Sequence, residues 1–318
     1  MAADGEGPVM SGRIVVVGSS NTDMIIQCER IPRPGETVLG GRFSMAAGGK
    51  GANQAVAAAR AGGQVTFVAR VGDDLFGENA IAGFRRDGID VTHVLKTPDA
   101  ASGIALIMVD RGGENSIAVA SGANGLLTPD DVEAAEPPLA GAACALAQLE
   151  VPIDTVQRAM ELAFRKGVRT ILNPAPAREL PDALLETVGI LTPNESEAEL
   201  LTGLPVRDET EAARVAARLA ERGPRTILIT LGARGVYVHD PEWSGTVPGF
   251  PVEAVDTTAA GDVFNGALAA ALSEGKSLRD AVRFGCAAAA ISVTRLGAQP
   301  SAPTRPEIEE FLAARAEK

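Results

Sequence analysis

The sequence predicts an α/β fold: a central, mostly parallel sheet with helices on both faces, plus a small β-sheet built as an inserted subdomain. Three observations predict it. Short β-branched apolar runs recur along the chain, helical stretches separate them, and two regions rich in Pro and Gly break that rhythm with strand-like pieces.

The first run, RIVVV at 13–17, is closed by Gly18 and has the composition of a strand buried on both faces. Similar runs lie at 65–71, 143–149, 168–172, 189–191 and 226–231. Between them, 52–61 is Ala-rich and is stopped by Gly62-Gly63, a helix terminator. Residues 153–165 and 210–222 carry apolar side chains at helical spacing, the second stretch ending at Gly223-Pro224. Further helices are expected at about 261–274, 277–294 and 305–316, with a tight loop at 295–300. The rhythm breaks at 24–43, around Pro32, Pro34 and Gly35, and at 103–119, where two runs flank Arg111-Gly112-Gly113 with hairpin chemistry. These pieces make the inserted β-subdomain, although ordinary edge hairpins would carry the same pattern. No internal repeat or low-complexity linker divides residues 1–318, so a single domain is expected.

Composition excludes several classes. A formal charge of −12 argues against non-specific binding to nucleic acid or to an anionic membrane. The three cysteines, Cys28, Cys144 and Cys286, form no C-x-x-C pair, so neither a disulfide framework nor a zinc site is expected and a reducing, cytoplasmic setting fits. The acidic N-terminal stretch lacks the apolar region of a secretion signal, and no apolar run reaches membrane-spanning length. With only His93 and His239 available, histidine-based catalysis is a poor expectation.

The chemistry concentrates in a few loops. DTTAAGD at 256–262 precedes an apolar helix. A helix N-terminus presents unpaired N–H groups and the positive end of the macrodipole, and small residues let an anion approach them. Asp262 has two readings there. It is an N-cap, worth about 1 kcal/mol, or a base beside an anion hole formed by the Ala259, Ala260, Gly261 and Asp262 amides. Pattern alone favours the cap. GGKGANQ at 48–54 is glycine-rich but not a P-loop: Ser44 stands where that motif needs Gly, and Gly51 where it needs Ser or Thr. Gly18-Ser19-Ser20 likewise fails the dinucleotide fingerprint. Asn21 and Asp23, after the first strand, and Glu150, after a later one, occupy the carboxyl ends of parallel strands, where ligand crevices form. An Asx turn or a surface acid would look the same. Asn194-x-x-Glu197 reads as a capping box at the next strand end, and Thr230-Leu231-Gly232-Ala233-Arg234-Gly235 as a strand and a glycine turn.

Taken together, these segments resemble the ribokinase, or PfkB, family of sugar kinases over residues 13 to about 312. GGKGAN at 48–53 and DTTAAGD at 256–262 are similar to its two signatures, and NESE at 194–197 and TLGARG at 230–235 to intermediate motifs. NPAPA at 173–177 and GAQPS at 297–301 resemble the ribose-specific branch. The resemblance implies ATP-dependent phosphorylation of D-ribose at its 5-hydroxyl, with Asp262 as general base and the 259–262 amides as anion hole. It assigns Asn21, Asp23, Gly49, Lys50, Gly51, Asn53 and Glu150 to the sugar. Asn194 and Glu197 would serve the ATP phosphates and the Mg2+ water shell, and Thr230, Gly232, Gly235 and Cys286 the nucleotide. It also implies a monovalent cation, normally K+, at Asp256, Thr258, Ser292, Arg295, Gly297 and Ser301, several through carbonyls alone. The β-subdomain would be a lid over the sugar and the seam of a homodimer. Ala259 departs from the family's usual Gly. N–H donation would survive if its φ stayed negative, and activity is expected to persist in a stiffer loop. Fructose, deoxyribose and adenosine are alternative substrates, low aromatic content speaking against adenosine. A non-catalytic binding regulator would be expected to lack Asp262 or the glycine donors, and a dinucleotide oxidoreductase lacks its fingerprint.

Overall fold

The computed structural model describes residues 12–315; the N-terminal stretch discussed above and the end of the last expected helix lie outside them. Thirteen strands carry the architecture: β1 Arg13–Val17, β2 Asn21–Gln27, β3 Arg42–Gly48, β4 Gln64–Gly72, β5 Asp90–Thr97, β6 Gly103–Val109, β7 Asn115–Ala120, β8 Ala142–Ala147, β9 Arg169–Leu172, β10 Ile190–Leu191, β11 Thr226–Thr230, β12 Gly235–His239 and β13 Ser244–Pro248. Nine form one sheet in the order β13-β12-β11-β10-β9-β8-β1-β4-β5. Pairing is parallel from β5 through to β11 and antiparallel at β11–β12 and β12–β13.

Alternation along β1 shows how the layers form. Ile14 and Val16 join an apolar cluster on one face, where the helices Lys50–Arg60, Ala260–Ser273 and Leu278–Ser292 pack. Val15 and Val17 join a second cluster on the other face, under Ile153–Arg165 and Glu209–Ala220. The chain leaves β1 toward β4 and β5, then returns to β8 on the opposite side. That reversal opens a crevice at the carboxyl ends of β1 and β8.

Helix Ala260–Ser273 is buried on nearly every face from Asp262 onward. It lies so close to helix Lys50–Arg60 that a Cβ on Gly266 would sit 2.5 Å from the Gln54 carbonyl oxygen. This contact brings the start of one helix to the first turn of the other.

The remaining strands form a separate four-stranded sheet, β3-β2-β6-β7. Its strands extend further toward the main sheet than expected, starting at Asn21 and ending at Gly48. Helix Leu75–Arg86, N-capped by the Asp74 side chain, and the antiparallel edge β12–β13 were not expected from the sequence. Strand β8 stops at Ala147, so Gln148 and Glu150 belong to the loop that follows.

Candidate active site

A cavity of about 170 Å3 lies at the carboxyl ends of the parallel strands. It brings together Lys50, Asn194, Glu197, Thr230, Ala259, Ala260, Gly261 and Asp262 of the expected residues, and adds Asn173, Thr192, Thr257 and Asn265.

Asp262 is 5 % exposed. Its Oδ2 accepts from Asn53 Nδ2 at 3.0 Å and its Oδ1 from Gln54 Nε2 at 2.9 Å. Burial pushes its pKa up, opposed by the Lys50 charge and the two amide donors. No side chain caps this helix. The capping reading of Asp262 therefore fails, and its carboxylate points to the neighbouring helix. Ala260 N donates weakly to Thr257 O at 3.3 Å and Val263 N to Ala259 O at 2.9 Å.

Ala259 requires a correction. Its φ is +59°, the one positive φ at a non-glycine residue among those described. The negative φ set as the condition for its N–H donation is not found: the turn into the helix passes through the left-handed region, which costs an alanine roughly 1 kcal/mol that a glycine avoids, and reorients the Ala259 N–H without removing it.

Lys50 is the first residue of its helix, two positions earlier than expected. Burial lowers its pKa, but the charges of Asp262, Glu150 and Glu197 outweigh that, and the net shift is upward. Gly49 precedes it at φ +89°, and a Cβ there would meet Asn21 N at 2.6 Å. Gly51 is equally constrained, with a Cβ 2.5 Å from Ser19 N. Both glycines let this loop close onto the end of β1.

Glu150 Oε2 accepts from Ser19 Oγ at 2.6 Å and from Lys50 N at 3.0 Å, so part of this carboxylate anchors the loop. Asp23 points into the same region, close over Gly48, where a Cβ would lie 2.3 Å from its carboxylate. Burial, then the charges of Glu150 and Asp262, raise its pKa to about 6. Asn21 Oδ1 accepts from Asn124 Nδ2 at 2.7 Å, a partner that sequence reasoning missed. Asn53 Oδ1 is buried and has no protein donor. Such an acceptor is costly unless a ligand supplies a hydrogen bond.

Asn194 and Glu197 form the expected capping box. Asn194 N donates to Glu197 Oε2, and Glu197 N to Asn194 Oδ1, both at 2.8 Å. Burial raises the Glu197 pKa, the Asn194 backbone bond and Lys50 opposing it. Thr230 lines the cavity, with Gly232 and Gly235 in the turn beyond it at φ +57° and +103°. Cys286 stands apart, 6 % exposed within the apolar cluster of helix Leu278–Ser292, where burial pushes its thiol up to about 12.

Asp256 occupies a different environment. Its Oδ1 accepts from Thr258 N at 2.9 Å and its Oδ2 from Gly297 N at 2.8 Å. Burial acts to raise its pKa, but these bonds prevail and lower it. The hydroxyls of Ser292 and Ser301 turn back to Ala289 O and Ala298 O, and Arg295 pairs with Glu307. Of the expected cation residues, the side chains thus make contacts within the protein, and a cation here would have to be held by backbone carbonyls and the remaining lone pairs of Asp256. Among the described residues no cluster of three His, Cys, Asp or Glu side chains is placed to hold a metal. Mg2+ would rely on phosphate and water oxygens beside Glu197, in keeping with its preference for retained water.

Comparison with known proteins agrees with this geometry. The sequence model of the pfkB family carbohydrate kinases matches residues 11–305. A ribokinase of Haemophilus influenzae is 48% identical over 303 residues, spanning 95% of this chain and 99% of the relative. A deoxyribokinase of Salmonella typhi is 39% identical over 301 residues, covering 94% and 98%. The structure of Arabidopsis thaliana ribokinase complexed with ribose and ATP superposes with a TM-score of 0.88 at 33% identity, covering 95% and 99%. By sequence and by fold, the chain belongs to the pfkB family of carbohydrate kinases.

Proposed function

We propose that the protein transfers the γ-phosphoryl group of ATP to the 5-hydroxyl of D-ribose. The observation that carries this reading is Asp262, a buried carboxylate held at an uncapped helix N-terminus with a lysine across the cavity. Asp262 would take the proton of the primary hydroxyl as the oxygen attacks phosphorus. The Gly261 and Asp262 amides, with that of Ala259, would bind the transferring group, while Lys50 neutralises its charge. The Ala260 amide joins them less well, because it already leans on Thr257 O.

Asn21, Asp23, Asn53 and Glu150 would hold the sugar hydroxyls, the unpartnered Asn53 Oδ1 accepting one of them. Gly49 and Gly51 allow that close approach. Thr230, Gly232 and Gly235 would border the nucleotide. Cys286 would contribute apolar surface near its adenosine end. Mg2+, when bound with ATP, supplies charge neutralisation at the phosphates; Asn194 and Glu197 would orient its waters. K+ would sit at Asp256 and the carbonyls of Thr258, Ser292, Arg295, Gly297 and Ser301, stiffening the loop that leads into the anion hole.

The four-stranded sheet would close over the sugar. Its strand register puts Ile26, Phe43, Met45 and Leu106 on one face, each more than two-fifths exposed. Asp23 lies on the opposite face. The exposed apolar face supports a homodimer through this sheet, and Phe43→Glu should then lower the mass measured by sedimentation.

Identity to deoxyribokinases supports a second reading, in which 2-deoxyribose is the substrate. An ATP-consumption assay with ribose, deoxyribose, fructose, adenosine and no sugar, in Mg2+ and K+, decides. Ribose is expected to give the highest kcat/KM. A higher value for another acceptor overturns ribose while keeping the mechanism, and no turnover with any of them counts against a kinase.

A further inference from the structure

Behind Asp262 lies a chain of buried amides. Gln148 Nε2 donates to Gln54 Oε1 at 2.6 Å. Gln54 Nε2 donates both to Asp262 Oδ1 at 2.9 Å and to Asn173 Oδ1 at 3.0 Å. Asn173 Nδ2 donates to Thr192 O at 3.1 Å. Gln54 and Gln148 are fully buried, and Asn173 is 6 % exposed.

The polarity of this chain is dictated at its ends. A backbone carbonyl only accepts, so Asn173 must turn its nitrogen to Thr192 and its oxygen to Gln54. An ionised carboxylate also only accepts, so Gln54 must present its nitrogen to Asp262. Both demands agree on one orientation of Gln54, whose oxygen then accepts from Gln148 Nε2; Gln148 Oε1 itself is buried without a partner, so the orientation is set from the Asp262 and Thr192 ends. A protonated Asp262 could donate, and the demand on Gln54 would then weaken. The arrangement is matched to the ionised carboxylate.

We infer that Gln54, held by Gln148 and Asn173, is a positioning residue that keeps the Asp262 carboxylate ionised and aimed at the acceptor hydroxyl. This rests on Asp262 being the base. The two oxygens of Asp262 are then divided between amides from adjacent residues of one helix, Asn53 and Gln54. Gln54 makes its contact from inside the core, so its effect passes through Asp262. The charged groups acting on Asp262 are Lys50 on the same helix as Gln54, Glu150 after β8, Asp23 on β2 and Glu197 beyond β10. None of them shares a side-chain hydrogen bond with Gln54, so removing its amide changes the base without altering their number.

The test is Gln54→Met, near in volume and unable to donate. It is expected to lower kcat about tenfold or more, the cost of one bond to a charged group, with KM for ribose and ATP changed less than twofold. The acid limb of kcat against pH should move upward, because an ionised Asp262 has lost a donor. In an Asp262→Asn background the same substitution should have almost no further effect on residual turnover. A normal kcat and an unmoved acid limb in folded Gln54→Met overturn the inference. Full activity in Asp262→Asn would instead sink the base assignment itself. Should Gln54→Met fail to fold, Gln148→Met decides: a smaller upward shift of the acid limb supports positioning, and an unchanged limb contradicts it.

Discussion

Asp256 and Asp262 stand six positions apart in DTTAAGD, and their surroundings push them in opposite directions. Asp256 receives two backbone N–H groups, from Thr258 and Gly297, and its pKa falls. Asp262 receives two side-chain amides inside the protein, and burial still raises its pKa. Backbone donors fixed by a loop stabilise a permanent charge that ties two segments together. Deep burial, opposed by a lysine, raises the pKa of the other carboxylate, which is what the proposed base would need. The same residue type is thus suited to structure at one end of the motif and to chemistry at the other.

Asp262→Asn sharpens the contrast most. It keeps the shape and loses the base, so kcat should fall by about a thousandfold or more while calorimetry finds ATP and ribose bound nearly as before. Near-normal turnover would break the comparison.

Asp23 extends it to a third acid. Its folded pKa of about 6 lies above the ordinary range of an aspartate. The folded protein therefore binds the extra proton, so this group favours folding fully below the unfolded pKa and loses that contribution as pH rises through about 6. Asp23→Asn should raise stability at pH above 7 by about 1–3 kcal/mol in urea denaturation and weaken ribose binding about tenfold or more. A stability that does not rise would show that the charge is already compensated.

Asp256→Asn should give a smaller catalytic loss, about tenfold, together with a lower Tm and a K+ activation that shrinks toward the rate in Na+. Unchanged K+ dependence would remove Asp256 from the cation site. Ala259→Gly is the mildest change. It relieves the left-handed alanine but loosens the unfolded chain, so stability should move by less than about 1 kcal/mol with activity retained.

Much of the fold was legible because its signals are local. RIVVV, the Ala-rich 52–61 stretch and the glycine stops announce themselves through composition, and the elements predicted from them lie within a few residues of expectation, while helix Leu75–Arg86 and strand β5 went unpredicted. The edge strands β12 and β13 were harder, since they acquire their pairing from β11 and from each other rather than from a strong internal pattern. In the site, charged residues beside glycines stood out, and Asp262 and Lys50 do line one cavity. Gln54, Gln148, Asn173 and Asn265 did not stand out. Gln54 lies within the GGKGANQ motif, where nothing assigns it a role. Their signal was an amide beside or within an apolar run, as in ANQAVAAA and ACALAQ, which pattern alone assigns to no partner. The left-handed Ala259 was hinted at only by the family's usual Gly at that position, since alanine itself gives no sign of positive φ.

The most direct test of the central claim is phosphorus NMR of the product formed from ribose and ATP. A phosphate ester on the primary carbon is expected, its signal split by the two methylene protons and absent without ribose. A phosphate split by a single proton, as on the anomeric carbon, or ATP hydrolysis independent of the sugar, would contradict it.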